Sequence, residues 1–344
     1  MKFSLTKNQF FVFLFIVQTG SISIAFQSPI IKAAQQDAWI VFIVALVIQF
    51  FILVLFEKYY KHFVMNRLLR WIYSIYIMLI LVLFVANIQK SLAVWVFQNT
   101  PPYVIVAIIV ATSLYANMSR PESVVNLGVL LVPLFPLIFF FLFLATPDLI
   151  WTNLFPMGNI SGKEWVNGLK EANLAFVGTE MYLIYRGYLL NTEKIFMKTI
   201  GKYILFIGSC YLITILFTIM FFSLAEIAIV PEPIVYILKS QEVQFIERID
   251  LFFIIIWMMW SVITVIYLVF TVVLIFNMKK TKKGIRSVIG IHLLLFIIPL
   301  IIIWKDFFKV GNEILMYGYF VFALIIPFLV ILVNTWRSKN DQKT

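Results

Sequence analysis

Long apolar runs alternate along this chain with short clusters of charge. A helix needs about 20 predominantly apolar residues to cross a bilayer. Ten runs approach or exceed that length, at roughly 7–32, 38–56, 70–97, 102–118, 123–145, 170–189, 200–225, 247–277, 285–304 and 312–336. The third and eighth are long, which fits tilt or extension beyond the bilayer, and the fourth is short. Two runs are interrupted near their middle by polar residues and a glycine. Gln18-Thr19-Gly20-Ser21-Ile22-Ser23 interrupts the first, and Phe176-Val177-Gly178-Thr179-Glu180 the sixth. In lipid an unpaired backbone N–H or C=O is costly, so a broken helix survives only where protein or a cavity satisfies it. The first stretch also fits a continuous helix, with Thr19 and Ser21 bonding back one turn and Gly20 easing helix contact.

Ten spans divide into five plus five, and each half begins with an interrupted span. Because five is odd, the halves run in opposite senses across the membrane. Paired glycine-interrupted spans at matching places point to an inverted repeat with a binding site at the midplane. The expected fold is an all-α polytopic membrane protein of ten transmembrane helices, with helices 1 and 6 discontinuous. It forms a single domain over 1–344, with repeats over 7–145 and 170–336.

Composition supports the membrane reading. The 344 residues are 63% hydrophobic and 12% charged, whereas soluble domains average roughly 45–50% and 25%. The first run lacks an A-x-A-like cleavage site and exceeds a signal-peptide core, so it reads as retained. The net charge of +11 does not imply nucleic acid. With the N-terminus inside, 19 of the 27 Lys and Arg fall in cytoplasmic loops and tails, which places both termini in the cytoplasm. The lone Cys210 excludes an intramolecular disulfide and argues against a metal cluster, and no cofactor is expected.

Local signals add detail. Ser119-Arg120-Pro121-Glu122 reads as a capping box opening the fifth span, which Pro133 and Pro136 then kink. The stretch Ile160 to Leu169 mixes aromatic and charged residues in a pattern that could lie along the membrane surface. Glu180 carries the sharpest chemistry, because an ionisable residue at membrane depth is by default a functional candidate. It is read as a proton-linked group or a contact for a ligand amine. Free N–H groups at the start of a half-helix could stabilise its charge; the plainer role is a carboxylic acid hydrogen-bonded inside the bundle. Asn87, Ser261 and Thr264 could line the same cavity, although each also fits an interhelical hydrogen bond. Trp257 and Trp260 could floor a pocket or simply pack, and His292 reads as a packed histidine. An enzyme is not expected: the two histidines, His62 and His292, form no H-E-x-x-H, and no G-x-S-x-G or phosphate loop is present.

The start Leu5-Thr6-Lys7-Asn8-Gln9, the Gly20-centred span, the Arg120-Pro121-Glu122-Ser123 turn and Phe176-Val177-Gly178-Thr179-Glu180 together resemble the membrane B subunit of bacterial spore germinant receptors. The likeness runs over essentially the whole chain. It implies kinship with amino acid/polyamine/organocation permeases and their inverted-repeat fold with broken helices 1 and 6. It also implies a nutrient site, typically for an amino acid, between those helices. By that resemblance Thr19, Gly20, Ser21 and Ile22 would offer backbone N–H groups to a ligand carboxylate. Phe176, Val177 and Gly178 would offer carbonyls to its ammonium group, with Thr179 and Glu180 adjoining and Asn87 helping to select the side chain. Implied partners are a membrane A subunit and a lipoprotein C subunit, and the implied place is the bacterial cell membrane or the spore inner membrane. A nutrient receptor subunit is the first reading and a proton-coupled amino acid transporter the alternative.

Overall fold

A computed structural model of the chain describes residues 4–20, 24, 26–190, 194–241, 248–278 and 281–341. Among them the structure is helical throughout, apart from one isolated bridge between Leu5 and Leu189. In chain order the helices are α1 (Lys7–Gly20), α2 (Gln27–Ala34), α3 (Ala38–Tyr59), α4 (Arg67–Trp95), α5 (Pro102–Met118), α6 (Pro121–Leu131), α7 (Phe135–Phe143) and α8 (Gly162–Leu174). They continue as α9 (Met181–Arg186), α10 (Met197–Phe221), α11 (Leu224–Ile229), α12 (Pro233–Lys239), α13 (Ile249–Ile275), α14 (Lys282–Lys305), α15 (Phe308–Tyr319) and α16 (Ile326–Asp341).

Seven described segments are long and apolar enough to cross a membrane. The three other expected spans are α5, an apolar helix of 17 residues, and the two interrupted ones. The first expected span is divided into α1 and α2, and the sixth into α8 and α9. The fifth divides where Pro133 and Pro136 were expected to kink it: a short 3₁₀ turn separates α6 from α7, because each proline withholds an N–H from the helical ladder.

The long apolar helix α13 lies at the centre. Its most apolar stretch is 72% buried, against 22% for Phe308–Ser338, which faces outward. Helices α1, α4, α5, α6, α7 and α12 pack around it. A second group joins α3 to α10 and α8, and α8 to α2. The chain start is tied to the end of α9 by main-chain hydrogen bonds, Leu5 N to Tyr188 O at 2.8 Å and Leu190 N to Leu5 O at 2.9 Å.

One local expectation needs correction. No capping box forms at Ser119. A residue before proline is pushed towards extended geometry, so Arg120 (φ −73°, ψ 145°) cannot enter the helix and becomes the N-cap itself. Ser119 instead donates to Tyr115 O at 3.2 Å. Complete capping boxes occur at Ser161–Glu164 and Ser223–Glu226, with the Ser at the N-cap. There the Ser161 N–H and hydroxyl hold the Glu164 carboxyl below its usual pKa. The stretch Ile160–Leu169 packs on the bundle. From Gly162 on it forms the first turns of α8, with Gly168 so close to α2 and α3 that a Cβ would stand 2.8 Å from Ala34 and 3.2 Å from Val41.

Candidate functional site

At Gly20 the described part of α1 stops inside the protein, where its carbonyls draw partners from outside the helix. Side chains from neighbouring helices take that role. The Tyr211 hydroxyl donates to Gln18 O at 2.9 Å and Ser261 Oγ to Gly20 O at 3.3 Å. Thr264 Oγ1 donates to Ile16 O at 3.0 Å. Thr19 accepts from Trp260 Nε1 at 2.8 Å and donates to Phe15 O at 2.7 Å. Gly20 is required by proximity: a Cβ there would stand 1.9 Å from Thr264 Oγ1. Ser261 and Thr264, read as cavity candidates, therefore hold the broken end of α1. Ser21 and Ile22 lie outside the described residues.

The second break runs from Ala175 to Glu180 as successive tight turns. Thr179 N donates to Phe176 O and Met181 N to Gly178 O, both at 3.0 Å. The carbonyls of Phe176 and Gly178, expected to face a ligand, are thus already engaged in the turn. Gly178 has φ +100°, a left-handed backbone that favours glycine. A Cβ on it would stand 2.7 Å from Val17 Cγ1. Phe176 is fully buried and stacks on Phe42 with ring centres 5.8 Å apart, while Val177 is buried beside it.

The two breaks meet. Gln18 Nε2 donates to Thr179 Oγ1 at 3.0 Å, and Thr179 donates to Phe176 O at 2.7 Å. Tyr203 donates its hydroxyl to Gln18 Oε1. Gln49 Oε1 lies 3.3 Å from the Thr179 hydroxyl, and Gln49 Nε2 donates to the Tyr319 hydroxyl at 2.5 Å. A chain of buried polar side chains, Tyr203–Gln18–Thr179–Gln49–Tyr319, therefore joins α10, α1, the second break, α3 and α15.

Glu180 follows directly, with no exposed surface. The backbone of Gly178 and of Glu180 itself lies near the carboxyl, yet neither oxygen has a hydrogen-bond partner. The backbone of Gly178 and Glu180, at the start of α9, is the nearest group able to stabilise its charge, although no side-chain cap is formed there. The Tyr76 hydroxyl is likewise buried without a partner. The Glu180 carboxyl lies close to Tyr73, Tyr76 and Tyr319. Tyr73 donates at 2.9 Å to Phe322 O, within the π-helical turn Phe320–Ile325 that links α15 to α16.

Asn87 lies elsewhere. It lines a cavity of about 510 Å³ with Lys90, Glu171, Glu232, Lys309 and Glu313. Ile24, Phe26 and Leu174, which flank the two breaks, form part of the same wall. Trp257 also borders it; its indole N–H has no partner although the residue is only 5% exposed. Beside Thr19 there is only a void of about 30 Å³, bordered by Trp257, Trp260 and Tyr211. That is about the volume of one water. Among the described residues the junction of the breaks is closed, and the larger cavity lies next to it. His292 packs as expected, with Nδ1 at 2.8 Å from Val288 O and Nε2 at 3.1 Å from Ser113 Oγ.

The sequence reading missed Gln49, Tyr203, Tyr319 and Tyr76. Helices buried on most faces show no polar stripe, so only the isolation of Gln49 in an apolar run could have marked it. Among known proteins, the family model described as spore germination protein matches residues 4–308, a span that includes both interrupted helices and ends at the start of α15. No curated protein matches the chain. A membrane architecture with two broken helices and a match across nearly its whole length lead to one assignment: this chain belongs to the spore germination protein family of membrane permeases.

Proposed function

We propose that this chain is the membrane subunit of a spore germinant receptor, built as ten helices in an inverted repeat. It binds a nutrient, an amino acid, at mid-membrane between the first and sixth spans and signals to a membrane A subunit and a lipoprotein C subunit. The observation that carries the proposal is the direct contact of the two breaks, through Gln18–Thr179 and Val17–Gly178, beside an unpartnered carboxyl at Glu180.

The nutrient enters through the cavity that holds Asn87, where amines and carboxylates stand together and suit a zwitterion. The Trp257 N–H and Lys90 face its carboxylate there. At the junction Glu180 takes the ammonium group, and Thr19 and Gly20 with the following Ser21 and Ile22 take the carboxylate. Because the junction is closed, occupancy requires the half-helices to part, and a ligand that prefers the parted state shifts the equilibrium towards it. That change is the signal. A proton-coupled transporter needs the same parts plus a free coupling group. Glu57, a carboxylate near the end of a span, is held by Arg186 and so is not free for that role.

The test uses purified protein in proteoliposomes with labelled amino acids. The expected result is saturable label without accumulation, weakened about tenfold or more in Glu180→Gln, as for loss of a hydrogen bond to a charged group. Label that accumulates and escapes on permeabilisation would establish a transporter, and unchanged binding in Glu180→Gln would remove that carboxyl from the site.

A further inference from the structure

At the end of the bundle where the chain begins, a second cavity of about 560 Å³ lies between α4, α9 and α13. Among the described residues no acidic side chain lines it, but Lys61 and Arg70 do. Arg70 donates Nε to Met65 O at 3.3 Å and has no other hydrogen-bond or ion-pair partner among the described residues, while its charge reaches Tyr188 across the cavity. Lys61 has no partner among the described residues. The nearby carboxylate of Glu57 is already claimed by Arg186 (2.6 and 2.8 Å) and by the Tyr182 hydroxyl (2.9 Å), so it does not neutralise this pair. The carbonyl end of α13 is closed off as well: Asn277, at φ +49°, donates to Leu274 O at 2.9 Å, and Met278 N donates to Val273 O at 3.0 Å. The cavity is therefore positive, with no opposing charge among the described residues of its lining.

Its other walls are apolar, including Leu183, Ile184, Phe270 and Ile275. Val64 on its rim is 61% exposed, and Leu68 and Trp71 on the neighbouring turn of α4 are 66% and 54% exposed. Apolar side chains exposed on a membrane helix face lipid, so this rim is continuous with a bilayer-facing surface. By the distribution of Lys and Arg it lies at the cytoplasmic leaflet. We propose that this cavity binds the phosphate headgroup of an anionic phospholipid, with Arg70 and Lys61 as its ligands and the acyl chains lying along Val64, Leu68 and Trp71. Basic pockets between membrane helices on the cytoplasmic side bind such headgroups. A soluble phosphate would use the same two cations but not the apolar rim. The site touches α9 through Leu183, Ile184 and Tyr188, so bound lipid steadies the half-helix that ends the sixth span. This inference does not depend on the nutrient site.

The test is thermal melting and native mass spectrometry of the full chain, titrated with phosphatidylglycerol or phosphatidylcholine. Phosphatidylglycerol is expected to raise the melting temperature and remain bound, and phosphatidylcholine to do neither. Lys61→Gln/Arg70→Gln is expected to bind phosphatidylglycerol about tenfold more weakly or worse while melting like wild type in phosphatidylcholine. Lys61→Arg/Arg70→Lys, which keeps both charges, should retain the preference and stands in if the first variant folds poorly. Equal effects of the two lipids would overturn the proposal, as would a full phosphatidylglycerol effect in Lys61→Gln/Arg70→Gln. Glycerol phosphate reproducing the whole effect would overturn the lipid assignment in favour of a soluble phosphate.

Discussion

Gly178→Ala is expected to lower the stability of the purified protein by about 1–3 kcal/mol from the left-handed backbone alone. The clash with Val17 adds to this, since the new Cβ would stand 2.7 Å from Val17 Cγ1. The two costs are separable. Val17→Ala removes the side chain that clashes, so Val17→Ala/Gly178→Ala should recover part of the loss and leave the backbone share. Gly187→Ala is the control: nothing stands within 4 Å of a Cβ there and its φ of −71° suits any residue. Melting of the four proteins in detergent checks the account. A Gly178→Ala protein as stable as Gly187→Ala would show that the second break does not have the described geometry. Because Gly178 touches the first break, its substitution should also weaken nutrient binding more than the stability loss explains.

The second large effect is expected at the other end of α9. The Arg186 guanidinium meets Glu57 through two hydrogen bonds, lies 4.2 Å over the Tyr60 ring, and is 2% exposed. Removing one member of a buried ion pair leaves an uncompensated charge and costs about 3–5 kcal/mol. Arg186→Met and Glu57→Gln should each melt far below wild type. The double variant Glu57→Gln/Arg186→Met should recover much of the loss, because no buried charge then remains unpaired. Additive losses in the double variant would show that the pair is not coupled. The pair fixes α9 to α3, while the Leu5–Leu189 bridge fixes α9 to the start of α1. Helices α1 and α9, the two half-helices on this side of the breaks, are thus tied to each other and to α3.

The membrane class and the places of both breaks were legible in the sequence. Polar residues and a glycine inside an apolar run mark a helix that the bilayer would not otherwise tolerate: the described part of α1 stops at Gly20 with Ile24 already in a turn, and the second break centres on Gly178. What could not be read was which groups complete each break. Tyr211, Ser261 and Thr264 reach the end of α1 from positions about 190–250 residues away, as tertiary packing rather than local pattern decides such partners. Which wall Asn87 joins, that of the cavity beside the junction, could not be read either. Its depth along the third span is legible but its direction around the helix is not, because α4 is apolar on nearly every side. The capping signal at Ser119 failed on a local rule, the effect of a proline on the residue before it. Glu180 was found by its cost in lipid, whereas the lack of any partner for its oxygens is a fact of packing.

The central claim is that the interruptions of the first and sixth spans meet at one place. The most direct measurement is cross-linking between single cysteines at Gln18 and Thr179, whose side chains lie 3.0 Å apart, in a Cys210→Ser background within native membranes. A short bifunctional thiol reagent should join the Gln18→Cys/Thr179→Cys pair efficiently, and added nutrient should change the yield as the half-helices part. A control pair at Gln18 and Ser113, which pack in separate parts of the bundle, should not be joined. Cross-linking no greater for Gln18 and Thr179 than for that control would contradict the junction and the ligand site built on it.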